Sequence, residues 1–222
     1  MVPSNITVRK LESPTEGHVD EAVQIFCKLM PEDPLSIALT GGDVRHLPYL
    51  IRAMVSAVAF MCGEIYAAFN ENGVMVGFQG WVPPGDVLFS TEEQRALLAD
   101  FMSRVSEKAR SYVPGMMAVE FPKVIDELSG IENSELNMFW CNFNFVAAEY
   151  QQQGISTAMS QLAYQKAELN GWTMGLATTN VHNIAIYHHL GFELQGYRGM
   201  LSPFIDWPVW IFVKRSQIKA TQ

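Results

Sequence analysis

FWCNFNFVAAEYQQQGIST, residues 139–157, predicts a β-strand, a turn and the start of a helix. The strand alternates with a period of two, which predicts one face with Phe139, Cys141, Phe143 and Phe145 and another with Trp140, Asn142 and Asn144. Gly154 then precedes a helical run at 157–169. Because the first N–H groups of a helix have no partner within it, and glycine lets an anion approach the backbone, the stretch predicts a phosphate-binding site.

Composition limits the classes of protein that this chain can represent. Its 222 residues are 49% hydrophobic, which is enough for a sizeable core, and we expect one domain spanning 1–222. The formal charge is −8, and no run of basic residues exceeds two, which argues against a nucleic-acid partner. The acidic balance is compatible with a cationic substrate, although many acidic proteins are simply soluble.

Cysteine usage and hydropathy favour a cytoplasmic protein. Cys27, Cys62 and Cys141 form an odd, widely spaced set with apolar neighbours, which predicts buried thiols in a reducing compartment rather than disulfides. No signal peptide is visible after Met1, and the richest apolar run, Ala53–Cys62, is too short to span a membrane. We therefore expect no membrane partner, and either a monomer or a homodimer.

Helix-like and strand-like patterns alternate along the chain and predict a mixed α/β fold. Strands are predicted at 5–11, 64–69, 74–81, 139–145, 173–179, 193–201 and 209–214. Helices are predicted at 16–30, 46–61, 116–128, 157–169 and 180–190, with a loop at 33–42. A capping box at 90–93 predicts a further long amphipathic helix, closed by Pro114-Gly115. These helical segments form an insertion at about 86–137, between a hairpin with Asn72-Gly73 at its turn and the strand at 139.

Two motifs resemble the GCN5-related N-acetyltransferase (GNAT) superfamily. The superfamily's acyl-CoA loop, Arg/Gln-x-x-Gly-x-Gly/Ala, is matched by Gln151-Gln-Gln-Gly154-Ile-Ser156, with serine at the last position. Its later pattern, with Asn, Tyr seven positions later and Gly-Phe beginning four positions after the Tyr, is matched by Asn180, Tyr187 and Gly191-Phe192. The resemblance implies a single-domain fold with a mixed, mostly antiparallel sheet of six to seven strands, helices on both faces and the helical insertion before the cofactor-binding strand.

The resemblance also implies a reaction and its residues. Acetyl-CoA would be the co-substrate, with no metal, and its thioester would enter a gap between the strands at 139–145 and 173–179. Tyr187 would be the acid that protonates the departing thiolate, or its ring packs on the core, and the N–H of Val146 would stabilise the oxyanion. Asn180 binds the cofactor or caps its helix, and the Ser156 hydroxyl contacts a phosphate or caps the next helix. The cofactor-binding residues implied are Phe145, Val146, Ala147, Gln151, Gln152, Gln153, Gly154, Ile155, Ser156, Thr157, Asn180 and Asn183.

The base that deprotonates the amine is not fixed by the resemblance. Many members of the superfamily carry a carboxylate on the strand before the loop, where this chain has Asn142 and Asn144, and an amide cannot act as a base. The candidates elsewhere are Glu64, Glu120, Asp206 and His182, and deprotonation by bulk water is the alternative.

Specificity is expected from the insertion and from the 203–210 hairpin. Aromatic residues in these regions and nearby either line an acceptor pocket or belong to the core: Trp81, Tyr112, Phe121, Trp140, Phe204 and Trp207. An enclosed pocket favours a small molecule, so the predicted function is transfer of acetyl from acetyl-CoA to a small-molecule primary amine. The alternatives are a protein or peptide N-acetyltransferase, with an open groove, and a non-catalytic acyl-CoA-binding module.

Overall fold

The computed structural model describes residues 2–216, whose strands form one seven-stranded sheet in the order β1-β2-β3-β4-β5-β7-β6. The strands are β1 (Thr7–Lys10), β2 (Glu64–Phe69), β3 (Met75–Val82), β4 (Phe139–Val146), β5 (Met174–Thr178), β6 (Glu193–Met200) and β7 (Trp207–Lys214). Every neighbouring pair is antiparallel except β4 and β5, which run parallel. This confirms the predicted mixed, mostly antiparallel sheet.

Helices cover both faces of the sheet. They are α1 (Glu16–Leu29), α2 (Pro34–Leu39), α3 (Leu47–Ala57), α4 (Glu92–Ala96), α5 (Ala99–Arg104), α6 (Glu107–Gly115), α7 (Phe121–Ser129), α8 (Ser134–Asn137), α9 (Ile155–Asn170) and α10 (Asn183–His189). One face packs against α1, α2, α3 and α5 to α7, and the other against α9 and α10. None of the helices within residues 2–216 is long and apolar enough to cross a bilayer.

A β-bulge at Asn142 overturns the predicted alternation of β4. Cys141 lies opposite Trp81 on β3 and Phe143 lies opposite Gly80, so Asn142 has no partner residue. The extra residue reverses the faces of the strand beyond it. Phe139 and Cys141 therefore pack on the α9 side, while Phe143 packs with α1 and α3, and the prediction that they share a face is wrong.

The long helix predicted from residue 90 is instead three helices, α4, α5 and α6. Thr91, not Ser90, is the N-cap of α4, and its hydroxyl accepts a hydrogen bond from the N–H of Gln94. Val105 is extended, and the Ser106 side chain accepts from the N–H of Ala109 to begin α6. Serine competes well for a capping position, so the chain restarts a helix where the apolar stripe alone predicts continuation.

Pro114-Gly115 does not end α6. Helical backbone continues through a π-helical segment, Met116–Glu120, into α7. Pro114 and Pro122 flank that segment, and each removes one N–H donor, which the wider turn accommodates. Side chains of this segment line a cavity that is described with the candidate site.

The loop predicted at 33–42 contains α2. Asp33 caps this helix by accepting from the N–H of Leu35, and Pro34 occupies its first turn, both of which are helix-start signals. The second carboxylate oxygen of Asp33 accepts from the Thr179 hydroxyl at 2.6 Å. This bond ties α2 to the end of β5, above the region where β4 and β5 separate.

Candidate functional site

The parallel strands β4 and β5 separate halfway along their length. They pair only where Phe139–Cys141 meets Met174–Leu176. Beyond the bulge, β4 continues to Val146 but no longer pairs with β5. This opens a gap in the sheet between the two strands. The predicted separation of the two strands is therefore present.

The N-terminus of α9 opens beside that gap without a side-chain cap. Gly154, at the N-cap position, adopts φ 75°, a left-handed conformation that favours glycine. The side chains around it leave the first N–H groups of this 16-residue helix unbonded. They face a cleft of about 540 Å³, here called the α9 cleft, bounded on its other side by α10. Free N–H groups and the helix dipole make its floor suitable for an anion.

Most of the predicted cofactor-binding residues meet at the α9 cleft. Eight of the twelve line it, together with Tyr187: Val146, Gln151, Gln152, Gly154, Ile155, Ser156, Thr157 and Asn183. Phe145 and Asn180 instead line the gap, a cavity of about 220 Å³ between β4 and β5. Ala147 lies on the opposite side of β4, in a separate depression, and the Gln153 amide donates to the carbonyl of Glu149.

The backbone of Val146 is oriented towards the gap. The N–H of Ala147 donates to the carbonyl of Val76 on β3. Successive N–H groups of a strand point to opposite edges, so the N–H of Val146 points to the open edge, where β5 has separated. The Val146 carbonyl accepts from the Gln151 side chain at 3.0 Å, which fixes the turn leading to α9.

A buried amide network joins β3, β4 and α9 behind the cleft. Gln79 on β3 is fully buried, and its side-chain nitrogen donates to Asn144 Oδ1 at 2.9 Å and to Ser160 Oγ at 2.9 Å. Its oxygen accepts from the indole of Trp81 at 3.0 Å. The Ser156 hydroxyl also donates to Asn144 Oδ1, at 2.9 Å, and does not cap α9. These bonds hold Asn144 rigidly at the junction of the cleft and the gap.

Tyr187 lies at the same junction. Its side chain is 6% exposed and lines both the α9 cleft and the gap, while its ring packs on Phe212 at a centroid distance of 5.3 Å. Burial, and secondarily the Cys141 thiol, raise the pKa of Tyr187 well above its usual range, and a hydrogen bond with the Asn144 side chain opposes that rise. The phenol therefore keeps its proton at any physiological pH.

The start of α10 differs from the prediction by three residues. Asn180 precedes the helix, and its side-chain oxygen accepts from the N–H of His182, so it stabilises the turn before the helix. Asn183 is the first helical residue, and its amide donates to the Thr178 hydroxyl at 3.0 Å. This bond holds the end of β5 against α10 beside Tyr187.

None of the four candidate bases is among the described residues that line the cleft or the gap. Glu120 is exposed, and Asp206 is exposed and accepts from the N–H of Ser202 in the β6–β7 turn. His182 is exposed at the N-cap of α10. Glu64 is largely buried and bonded to Lys166, to Lys10 at 3.3 Å and to the Tyr66 hydroxyl at 2.9 Å.

We expect Glu64→Gln to reduce stability and leave activity intact. Burial alone would raise the pKa of Glu64, but the bonds from Lys166 and Tyr66 and the charge of Lys10 lower it below its usual range. A lowered folded-state pKa contributes stability that is present at neutral pH and lost as pH falls through that pKa. The substitution should therefore cost about 1–2 kcal/mol at neutral pH and little in acid, as measured by thermal melts. A large loss of turnover would restore Glu64 as a candidate base.

A second cavity, of about 360 Å³, adjoins the gap on the other face of the sheet. Leu and Met side chains from α2, α3, α5 and the π-helical segment contribute to its walls, and we call it the methionine cavity after Met54, Met102, Met116 and Met117. Of the six aromatic residues predicted for a pocket, Phe121 and Trp207 line it, and Trp140 lines the gap. Trp81 is core, and Tyr112 and Phe204 pack on each other at a centroid distance of 6.3 Å.

Sequence reasoning missed two residues of this region, Gln79 and Glu135. Gln79 sits in an apolar strand, and a polar residue in such a strand is a usable signal. Glu135 lies on α8, a single short turn, and it lines the methionine cavity. No sequence pattern marks it, because its position depends on how α7 and α8 fold back onto the sheet.

The cysteines and acidic residues suggest no further chemistry. All three cysteines are free thiols, and burial raises the pKa of Cys27 and of Cys62 to about 11. Within residues 2–216, no group of three or more His, Cys, Asp or Glu side chains is arranged to hold a metal ion.

Solved structures similar to this one are N-acetyltransferases. A Corynebacterium glutamicum protein described as histone acetyltransferase HPA2 and related acetyltransferase is 14% identical, covers 98% of this chain and 99% of its own, and has a TM-score of 0.64. Polyamine N-acetyltransferase of Drosophila melanogaster is 13% identical over 95% of this chain and 99% of its own, with a TM-score of 0.58. The ribosomal-protein-S18-alanine N-acetyltransferase of Escherichia coli is 14% identical over 98% of both chains, with a TM-score of 0.55. No protein-family model and no curated protein sequence matches the chain.

Proposed function

We propose that this chain, which has the fold of the GCN5-related N-acetyltransferase superfamily, transfers an acetyl group from acetyl-CoA to the primary amine of a small molecule. The observation that carries the proposal is the continuity between two features. The uncapped N-terminus of α9 lies in the same cleft as Tyr187, at the point where β4 and β5 separate. An anion site and a phenol on either side of an open strand edge suit a phosphorylated thioester.

Each part of the site would have one task. The N–H groups of Ile155, Ser156 and Thr157 would receive the CoA pyrophosphate, and Gly154 lets it approach. The N–H of Val146 would receive the thioester oxygen as negative charge develops on it. The amine nitrogen would bond to the carbonyl carbon to give a tetrahedral oxyanion, and the nitrogen would release its proton to water. The oxyanion would then collapse as the carbon–sulfur bond breaks, and Tyr187 would donate a hydrogen bond or proton to the departing sulfur.

A small acceptor cavity with largely apolar walls supports a small molecule over a protein tail. The methionine cavity, of about 360 Å³, adjoins the gap that Tyr187 lines, and α2 and the insertion helices contribute its walls. The relatives in structure include both classes, since one is a polyamine acetyltransferase and another acetylates a ribosomal protein. The shape of the cavity, rather than the fold, therefore supports the small-molecule acceptor.

The three free thiols and the net charge of −8, with no basic run longer than two residues in the sequence, support a cytoplasmic protein that acts without nucleic acid. The chain would act as a monomer or a homodimer, because the α9 N-terminus, the N–H of Val146 and Tyr187 all belong to one chain.

Thiol release tests the proposal. Purified protein is incubated with acetyl-CoA and a panel of primary amines, peptides with free N-termini and lysine peptides, and free CoA is measured with a thiol reagent. Amine-dependent release with a small molecule supports the proposal, and release only with peptides would replace it with protein acetylation. Tight binding of acetyl-CoA without release for any acceptor would identify a binding module instead.

A further inference from the structure

The methionine cavity contains a carboxylate without a partner. Glu135 is partly buried and lines the cavity, whereas the other charged lining residue, Arg95, is exposed and donates to the carbonyls of Phe89 and Ser90. Within residues 2–216, Glu135 makes no hydrogen bond or ion pair. A carboxylate held among apolar side chains without a counter-charge costs stability, so a cationic ligand there would offset that cost.

Asn142 supplies a second unpaired polar group. The bulge directs its side chain to the shared wall of the methionine cavity and the gap, where its buried amide nitrogen has no acceptor within the described residues. Buried amide groups are almost always hydrogen-bonded, so this one indicates a missing ligand atom with a lone pair. The carbonyl oxygen of an acyl group or the lone pair of a neutral amine meets that need.

The cavities form one passage. The gap shares Asn144, Asn183 and Tyr187 with the α9 cleft. It shares six residues with the methionine cavity: Leu35, Leu39, Met54, Phe121, Asn142 and Trp207. A ligand can therefore extend from Tyr187, past Asn142, into the space lined by Glu135.

We propose that the methionine cavity binds an elongated diamine, whose reacting amino group lies at the Tyr187 end and whose second, cationic amino group pairs with Glu135. The inference rests on the acyltransferase function proposed above and adds its substrate class. Methionine and leucine side chains would pack on the apolar body of the diamine. An acidic acceptor is disfavoured because it would place a second negative charge beside Glu135, and a monoamine would leave the carboxylate unpaired.

The test compares two acceptors that differ by one amino group. Steady-state acetylation of octane-1,8-diamine and octylamine is measured for the wild type, Glu135→Gln and Glu132→Gln. Glu132 is a matched control, because it is exposed three residues earlier and lines none of these cavities. We expect the wild type and Glu132→Gln to favour the diamine in kcat/KM by about tenfold or more, since a buried charge left without its partner is strongly disfavoured. In Glu135→Gln the ratio should fall to about one, because kcat/KM for octane-1,8-diamine loses the contribution of the second amino group.

The outcomes separate this inference from the proposed function. A wild-type ratio near one, or a ratio that survives Glu135→Gln, overturns the diamine site while acetylation of octylamine upholds the acyltransferase. If neither amine is acetylated, calorimetric titration of octane-1,8-diamine decides the site alone, and the proposed function fails if the acceptor panel described above is inert as well. Affinity at least tenfold weaker in Glu135→Gln than in the wild type supports the cation site, and equal affinities overturn it.

The change in melting order on adding octane-1,8-diamine is a readout that a merely structural role of Glu135 would not produce. Burial, and secondarily the charge of Asp126, raise the pKa of Glu135 to about 7. A raised folded-state pKa means that stability is complete below the unfolded pKa and falls as pH rises through about 7. Without ligand, Glu135→Gln should therefore melt above the wild type in alkaline buffer and equally in acid. Saturating octane-1,8-diamine should reverse that alkaline order, because only the wild type keeps the charge that pairs with the diamine, and an unchanged order would contradict the pairing.

Discussion

Tyr187→Phe is expected to lower kcat for amine acetylation by about a hundredfold or more, with the Kd for acetyl-CoA changed less than about threefold. The phenylalanine ring keeps the packing on Phe192 and Phe212, so the core around it should be unaffected. Only the hydroxyl beside Asn144 is lost. Single-turnover acetylation and equilibrium binding of acetyl-CoA measure the two effects separately.

The pKa of Tyr187 decides how the hydroxyl acts. Because burial raises that pKa, the phenol stays protonated through the working range, and complete proton transfer to a thiolate is less favourable than for an exposed tyrosine. Stabilisation should therefore come mainly from a hydrogen bond to the departing sulfur, with Asn144 limiting the rise in pKa. Activity should accordingly show no loss from tyrosine ionisation below about pH 10.

Tyr197→Phe is the matched control for this substitution. Tyr197 lies on β6, is more than half exposed and contacts Trp210 rather than the α9 cleft. Removing the Tyr197 hydroxyl should leave kcat unchanged. Equal turnover in Tyr187→Phe and the wild type would show that Tyr187 is not the acid and that its ring serves only the core.

The order of elements and the glycine turn before α9 could be read from the sequence because they depend on local signals. Alternating residues, Asn72-Gly73 and Gly154 each act within a few positions, and the structure has the corresponding strands, hairpin and uncapped helix. The bulge at Asn142 could not be read, since it arises from the register between β3 and β4. One unpaired residue there moved Phe143 to the opposite face and turned Asn142 towards the acceptor side.

The acceptor side of the site depends on tertiary packing and was largely unpredictable. The restart of the helix at Ser106 and the continuation through Pro114 are decided by competing local bonds and by what the helix packs against. The aromatic pocket was expected from composition alone, but methionine and leucine supply more of the cavity wall than aromatic residues do. Glu135 reaches that wall only because α7 and α8 reverse the chain next to β4.

Gly154→Val is expected to raise the Kd for acetyl-CoA by about a hundredfold, or roughly 2.7 kcal/mol, as measured by calorimetry. A β-branched residue strongly disfavours the φ of 75° found here, at a cost of about 1–3 kcal/mol, so the turn would shift to relieve it. That shift would move the N–H groups of Ile155 and Ser156, which depend on Gly154 for their orientation. The new side chain would also project from a residue that lines the α9 cleft.

Gly171→Val separates strain from ligand binding. Gly171 ends the same helix with φ 67°, and no other group lies within 4 Å of where its side chain would begin. The two substitutions should therefore lower the melting temperature by similar amounts, while only Gly154→Val weakens acetyl-CoA, because only that end of α9 presents unpaired N–H groups to the cleft. Equal Kd values for the two variants would mean that the α9 N-terminus does not bind the pyrophosphate, and the glycine would then be explained by the turn alone.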